Sequence, residues 1–328
     1  MSSTTSTEPP VSIDETSNRA QAVIDRVSEA VITDQEFLET LLTGVFARGH
    51  VLLEDVPGTG KTLTGNAIAD ALGVSFNRIQ FTPDLLPSDI TGTNIYNEHT
   101  QEFEFSEGPL FANIVLADEI NRAPPKTQAA LLEAMEEAQV TVDGETYDLP
   151  EPFFVIATQN PVEQEGTFEL PEAQRDRFIV KTSIGYPEYE GEIELMERRG
   201  DRLTQMPSVE AVTDQEEVTN LQMVPEYVSV ERELEEYMLD LARYTRDDSR
   251  VDVGVSPRGV QRFYEAARAR AVIAGRDYVA PDDVKAVAEP VMKHRIIRTA
   301  EAKVHDVEQA DVVADALDSI EVPAVAEV

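Results

Sequence analysis

The chain has no cysteine and no tryptophan among its 328 residues, and only 27 basic residues stand against 63 acidic ones. Without cysteine there are no disulfides, thiolate metal sites or cysteine nucleophiles, a usage that suits a reducing compartment. No apolar run approaches the roughly 20 residues of a spanning helix, so membrane insertion is not expected. Residues 1–16 have neither the basic nor the apolar part of a signal peptide and read as the disordered tail of a cytoplasmic protein. The formal charge of -36 repels phosphate backbones and anionic lipid at long range. Nucleic acid is therefore not an expected partner without a local basic stripe.

What is present is a core. Hydrophobic residues make up 41% of the chain and fall in periodic runs, which excludes a wholly disordered protein despite the charge. Only 6 of the 27 basic residues are lysine and 21 are arginine. A lysine-poor, carboxylate-rich surface suits concentrated salt, where the screening length falls to about 3 Å at 1 M and self-repulsion is largely removed. The composition points to a halophilic, archaeal source.

Two amphipathic helical patterns, Asn18 to Ile32 and a second one capped by Asp34, precede the first strand, HVLLED. FNRIQF, NIVLAD, FFVIATQ and FIVKTSI are four more apolar runs of buried-strand character with helical patterns between several of them, such as Pro124 to Ala138. Strands alternating with helices imply a mostly parallel, five-stranded sheet covered on both faces, an α/β core over 17–185. Two period-two segments, Thr91 to Ser106 and Gln139 to Leu149, read as hairpins, the second turning at Asp143-Gly144. From 186 to 300 only helical patterns remain, so an all-helical second domain is expected. Residues 301–328 carry 8 acidic residues and one lysine and read as a solvated acidic tail or helix.

The strongest chemical signal is Gly58-Thr59-Gly60-Lys61-Thr62, set between a strand and a helix. The glycines let backbone N-H groups curl around phosphate oxygens, Lys61 brings a point charge, and the Thr62 hydroxyl can ligate magnesium. Asp55 stands where the full phosphate-loop pattern wants glycine. NIVLADE delivers Asp118 and Glu119 to the carboxyl end of a strand, where ligands of open α/β sheets sit. Asp118 suits Mg²⁺ and Glu119 suits a general base for attacking water. Asn160 ends another buried strand and can hold water or a γ-phosphate. Arg175 and Arg177 lie just before the fifth strand, and Arg258 opens a helix of the second domain. The four histidines show no ligand spacing, so no metal beyond the nucleotide's Mg²⁺ is expected.

From LLEDVPGTGKT through LADEINRAPPKTQAALLEAMEE, FFVIATQNP, LPEAQRDRF, VSPRGVQ and GRDYVAPDDV, the chain resembles the MoxR branch of the AAA+ ATPases, over about Asn18 to Arg298. The resemblance implies a P-loop NTPase core followed by a helical lid, with ATP and Mg²⁺ as cofactors. It makes Pro57 to Thr62 the Walker A loop, Asp118 and Glu119 the Walker B pair, Asn160 sensor 1 and Arg258 sensor 2. Arg177 becomes the finger acting on a neighbouring subunit, with Arg175, where the family more often has leucine, as the competing candidate. It also implies a homo-oligomeric ring, most plausibly a hexamer, that remodels or matures a protein client, for example by metal cofactor insertion, with a von Willebrand factor A domain partner. A DNA-directed AAA+ motor, a nucleotide-switched binding module and the motor subunit of a magnesium chelatase are the alternatives; the absence of basic residues from both hairpins speaks against DNA.

Overall fold

The computed structural model describes residues 8–160, 168, 170–201, 207 and 209–323. Helices α1 (Ile13–Ala30) and α2 (Gln35–Phe46) lead into β1 (His50–Glu54), α3 (Lys61–Leu72) and β2 (Phe76–Gln80). A short α4 (Pro87–Thr91) opens the hairpin β3 (Gly92–Asn97) and β4 (Glu102–Glu107); then come β5 (Ile114–Asp118), α5 (Pro125–Glu137) and the hairpin β6 (Gln139–Val142) and β7 (Glu145–Asp148). Strand β8 (Phe154–Gln159), α6 (Glu172–Arg175) and β9 (Phe178–Thr182) complete the core. The second unit holds α7 (Tyr189–Asp201), α8 (Gln215–Leu221), α9 (Arg232–Asp247), β10 (Val251–Val253), α10 (Pro257–Ile273), α11 (Pro281–Met292), β11 (Ile297–Arg298), α12 (Ala300–Val304) and α13 (Gln309–Ser319). No helix among the described residues is long and apolar enough to cross a membrane.

The central sheet is parallel throughout, in the order β2-β5-β8-β1-β9. The five runs expected from sequence are these five strands, and their period of two decides which core each side chain joins. Val51, Leu53, Ile114, Leu116, Phe154 and Ile156 face one cluster with α1, α2 and α3; Leu52, Val115, Ala117, Val155 and Ala157 face the other with α5. Each fully buried aliphatic side chain contributes roughly 1.5–3 kcal/mol. The first cluster runs on without a break into the second unit through Phe263, Ala266 and Val272 of α10, so core and lid share one apolar interior.

Local signals account for the element ends. Ser12 caps α1 by accepting from the Glu15 N-H, Ser256 caps α10 by accepting from the Gly259 N-H, and Gly73 closes α3 in the left-handed conformation. The turn at Asp143-Gly144 has positive φ at both residues, the hairpin geometry that this dipeptide favours. Three features differ from the periodicity alone. Helix α1 starts at Ile13, inside the segment expected to be a tail, of which residues 1–7 lie outside the described residues. Helix α13 is not a solvated appendage: Val312, Val313 and Ala316 are buried on the lid, and the acidic side chains occupy its other face. The lid also carries one short antiparallel pair, β10 with β11.

His50, at the start of β1, is fully enclosed. Its Nδ1 lies 3.0 Å from the Val155 N-H, which can only donate, so Nε2 carries the proton and donates to the Met135 carbonyl at 2.8 Å. Burial pushes its pKa down to about 4 against the Met135 hydrogen bond. The unfolded chain therefore takes up a proton below pH 6.5 that the folded chain refuses until about pH 4, and stability present above 6.5 is lost across that window by about 3 kcal/mol. Denaturant midpoints in molar KCl are expected to fall more between pH 7 and pH 5 for the native chain than for His50→Gln. Equal falls would exclude His50 as the titrating group.

Candidate active site

Strand β1 is buried along both faces and delivers the loop 55–60 to the carboxyl edge of the sheet. Gly58 and Gly60 have φ of +90° and +93°, a region that L side chains rarely enter, and a Cβ built at either would meet nothing within 4 Å. The loop therefore faces open space with Pro57 and Gly58 exposed at its rim and the N-terminus of α3 behind it. Lys61 Nζ donates to the carbonyls of Asp55 and Val56 at 2.9 and 3.1 Å, which holds the ammonium across the loop; Thr59 Oγ1 donates to the Val56 carbonyl at 3.3 Å. Backbone donors, a helix N-terminus and a fixed cation around an open cradle suit the phosphates of a nucleotide. Asp55, where the generic loop has glycine, is buried: its Oδ2 accepts from the N-H groups of Ile184 and Gly185 at 2.6 and 3.1 Å, tying the loop to the exit of β9.

Strand β5 lies two strands away from β1 and ends at Asp118, so its carboxylates stand roughly 10 Å from the loop, with room for terminal phosphates between. One hydroxyl joins the Asp118 carboxylate to the Glu119 backbone. Thr158 Oγ1 donates to Asp118 Oδ1 at 2.6 Å and accepts from the Glu119 N-H at 2.8 Å. Asp118 Oδ2 also accepts from Arg78 Nη2 at 2.6 Å, and Glu119 Oε2 accepts from Gln80 Nε2 and Arg122 Nη1, both at 2.9 Å. Glu119 itself has φ of +58°, a left-handed conformation costing a residue with a Cβ about 1–3 kcal/mol, which the Thr158 and Arg122 contacts hold in place. Asn160 is buried at the end of β8, between the loop and the carboxylates. Among the described residues no three acidic or histidine side chains gather as a metal cage. Thr62 and Asp118 offer the hydroxyl and single carboxylate that Mg²⁺ accepts when phosphate oxygens and water fill its remaining positions.

The arginines are elsewhere. Strand β9 runs parallel to β1 with Phe178 opposite His50, so Arg177 sits at the amino edge of the sheet, about 15 Å from the loop. Its Nη2 pairs with Glu136 at 2.9 Å and its Nη1 donates to the Leu132 carbonyl at 2.5 Å, both on α5. Arg258 pairs with the same Glu136 at 3.2 Å. Tertiary structure thus gathers Arg177 and Arg258 around one carboxylate and separates both from the loop of their own chain. Arg175 ends α6 with its Nε buried and unpartnered among the described residues.

Sequence reasoning had no hold on Arg78, Gln80, Thr158 or Arg122. The available signal was the alternation in FNRIQF, which puts Arg78 and Gln80 on one face of β2, in register with Leu116 and Asp118. Thr158 broke an apolar run two residues before Asn160.

Loop, carboxylates and lid together define a P-loop ATPase of the AAA class. Residues 50–180 match the ATPase family associated with various cellular activities (AAA), and residues 243–316 match the AAA lid domain. The chain is 40% identical to Chaperone MoxR1 of Mycobacterium tuberculosis, over 93% of this chain and 82% of that one. It is 45% identical to YeaC of Bacillus subtilis, an uncharacterized protein, over 92% and 93% of the two chains. The crystal structure of a candidate ATPase from Cytophaga hutchinsonii superposes with a TM-score of 0.87 at 40% identity, covering 94% of this chain and 96% of that one. This chain belongs to the MoxR family of AAA ATPases.

Thr158→Val keeps the shape of the side chain and deletes the hydroxyl shared by Asp118 and Glu119. The Glu119 N-H then loses its acceptor, and stability is expected to drop by about 1–3 kcal/mol in urea denaturation. ATP turnover should fall with it, while Thr158→Ser retains both. A Thr158→Val chain of native stability and turnover would show that the hydroxyl holds neither residue in place.

Proposed function

We propose that this chain is a Mg²⁺-dependent ATP hydrolase working as a head-to-tail ring, most plausibly a hexamer, in which each site is completed by a neighbour. The observation that carries the reading is the split between the two edges of the sheet. The loop and carboxylates face one edge, and Arg177 and Arg258 cluster on Glu136 at the other. Contacts that join one edge of a subunit to the opposite edge of the next are heterologous and give a ring when the rotation between subunits closes.

In this reading the N-H groups of Gly58 to Thr62 and the Lys61 ammonium hold the phosphates, and Thr62 and Asp118 would hold Mg²⁺, which would supply neutralising charge to them. Glu119 accepts the proton of the attacking water as its oxygen bonds to the γ-phosphorus and the bond to the bridging oxygen breaks, releasing ADP and phosphate; Asn160 orients that water. Arg177 of the adjoining subunit meets the negative charge that builds on the transferred group, with Arg258 beside it. Arg177, which shares Glu136 with Arg258, is the better finger; the Nε atoms of Arg175 and Arg177 are alike buried and do not separate the two.

Hydrolysis is coupled to the two hairpins. Phe105 of β4 stacks on Tyr147 of β7 at 3.9 Å between ring centroids, and Asn94 donates to Asp143 at 2.8 Å, so the pair forms one arm. Its outer end exposes Ile95, Tyr96 and Phe103. An apolar tip on an acidic arm suits a protein client better than nucleic acid. We assign a chaperone-like remodelling or maturation role in the cytoplasm, such as metal cofactor insertion, with a von Willebrand factor A domain protein as partner.

Two measurements test this. Glu119→Gln is expected to bind ATP within a few-fold of the native chain and to lose at least about a hundredfold in turnover; equal turnover removes Glu119 from its role. Specific ATPase activity in molar KCl should fall on dilution through the assembly transition, and activity per subunit that stays flat well below that transition would count against the in-trans site.

A further inference from the structure

Arg295 is 3% exposed, and its guanidinium is almost wholly committed to one stretch of backbone. Its Nε donates to Asp176 Oδ1 at 2.7 Å, and its Nη2 donates to the Phe178 carbonyl at 2.7 Å and the Asp176 carbonyl at 3.2 Å. Its Nη1 reaches the Ile179 carbonyl at 3.2 Å, His294 Nε2 at 2.8 Å and the carbonyl of Val291 in the last turn of α11. Burial lowers its pKa to about 10, against the pull of Asp176, so it stays a cation at neutral pH. The residue enclosed between Asp176 and Phe178 is Arg177. The stem of Arg295 meanwhile packs on Gly259, the residue after Arg258: a Cβ there would lie 2.9 Å from Arg295 Cδ.

A buried arginine is costly to keep, and a salt bridge with Asp176 would not by itself repay that cost. A planar fork that spans four carbonyls and a carboxylate in fixed geometry does something a lysine or an apolar residue cannot: it sets the position of the chain it grips. Here the grip falls on both sides of one arginine and touches the backbone neighbour of another.

We propose that Arg295, with Asp176, is a positioning residue for the in-trans arginines: it braces Arg177 and Arg258 at the amino edge of the sheet so that they enter the adjoining subunit's site in register. This rests on the reading that those arginines serve a neighbour. It also gives the lid a second role, because Arg295 follows α11, so that any shift of the lid carries the finger with it.

The test is complementation in mixed rings. Arg295→Met retains its own loop and carboxylates but should present a misplaced finger; Glu119→Gln retains its finger but has a dead site. Arg295→Met alone is expected to lose on the order of a hundredfold in kcat with KM for ATP unchanged, the scale of a misplacement of about 1 Å. A one-to-one mixture with Glu119→Gln should recover about one quarter of native activity, the share of interfaces that pair a live site with an intact finger. Asp176→Ala, at the half-buried end of the pair, is assayed in parallel and stands in if Arg295→Met does not fold. Arg177→Ala mixed with Glu119→Gln is the reference. Native kcat in both Arg295→Met and Asp176→Ala overturns the proposal. So does failure of these mixtures to exceed their parents while the Arg177→Ala mixture recovers, because Arg295 then acts within its own subunit. If the Arg177→Ala mixture also fails, the in-trans site is wrong and the proposal falls with it.

Discussion

Five strands running the same way give a sheet two chemically unlike edges, and everything in this protein is arranged by that polarity. Every strand that leaves the core at its carboxyl end releases its chain into the same space, which is why Asp55, Asp118 and Asn160, far apart in sequence, converge there. Every strand that enters does so at the opposite edge, and Arg177 enters with β9. An arginine placed before a strand of a parallel sheet lies a strand's length from the loop that follows the strand beside it.

Charge follows the same division. The carboxylates at the site are not left to repel one another: Arg78 meets Asp118, and Gln80 and Arg122 meet Glu119, with Thr158 between them. At the other edge a single carboxylate, Glu136, holds two guanidinium groups. The surface acidity of -36 is therefore a background on which a small number of cations have structural addresses. Lys61, Arg78, Arg122, Arg177, Arg258 and Arg295 each meet a specific oxygen, and the bulk charge governs solvation rather than chemistry.

Legibility varied with the range of the determining interaction. Short strands rich in apolar residues, the Asp143-Gly144 turn and helices opened by proline or serine are set by neighbours in the chain, and they were readable. So was the glycine loop, because its chemistry is contained in five consecutive residues. The Arg78 to Asp118 contact spans 40 positions, Thr158 to Asp118 spans 40, and Arg295 to Asp176 spans 119. Nothing local distinguishes these side chains from surface arginines or a strand threonine, so their partners were hidden. Helix α13 was read by its acidity, yet burial is decided by one face, and three small apolar residues sufficed to seat it.

The sequence by itself determined the five core strands and the helices between them, the phosphate loop and the carboxylates that follow a buried strand. These depend on periodicity and on residues adjacent in the chain. Only the tertiary structure decided that Asp55 ties the loop to the exit of β9, that Thr158 joins Asp118 to Glu119, and that Arg177 and Arg258 share Glu136 away from their own loop. Those depend on strand order and register, which the parallel crossovers set and which no short stretch of sequence encodes.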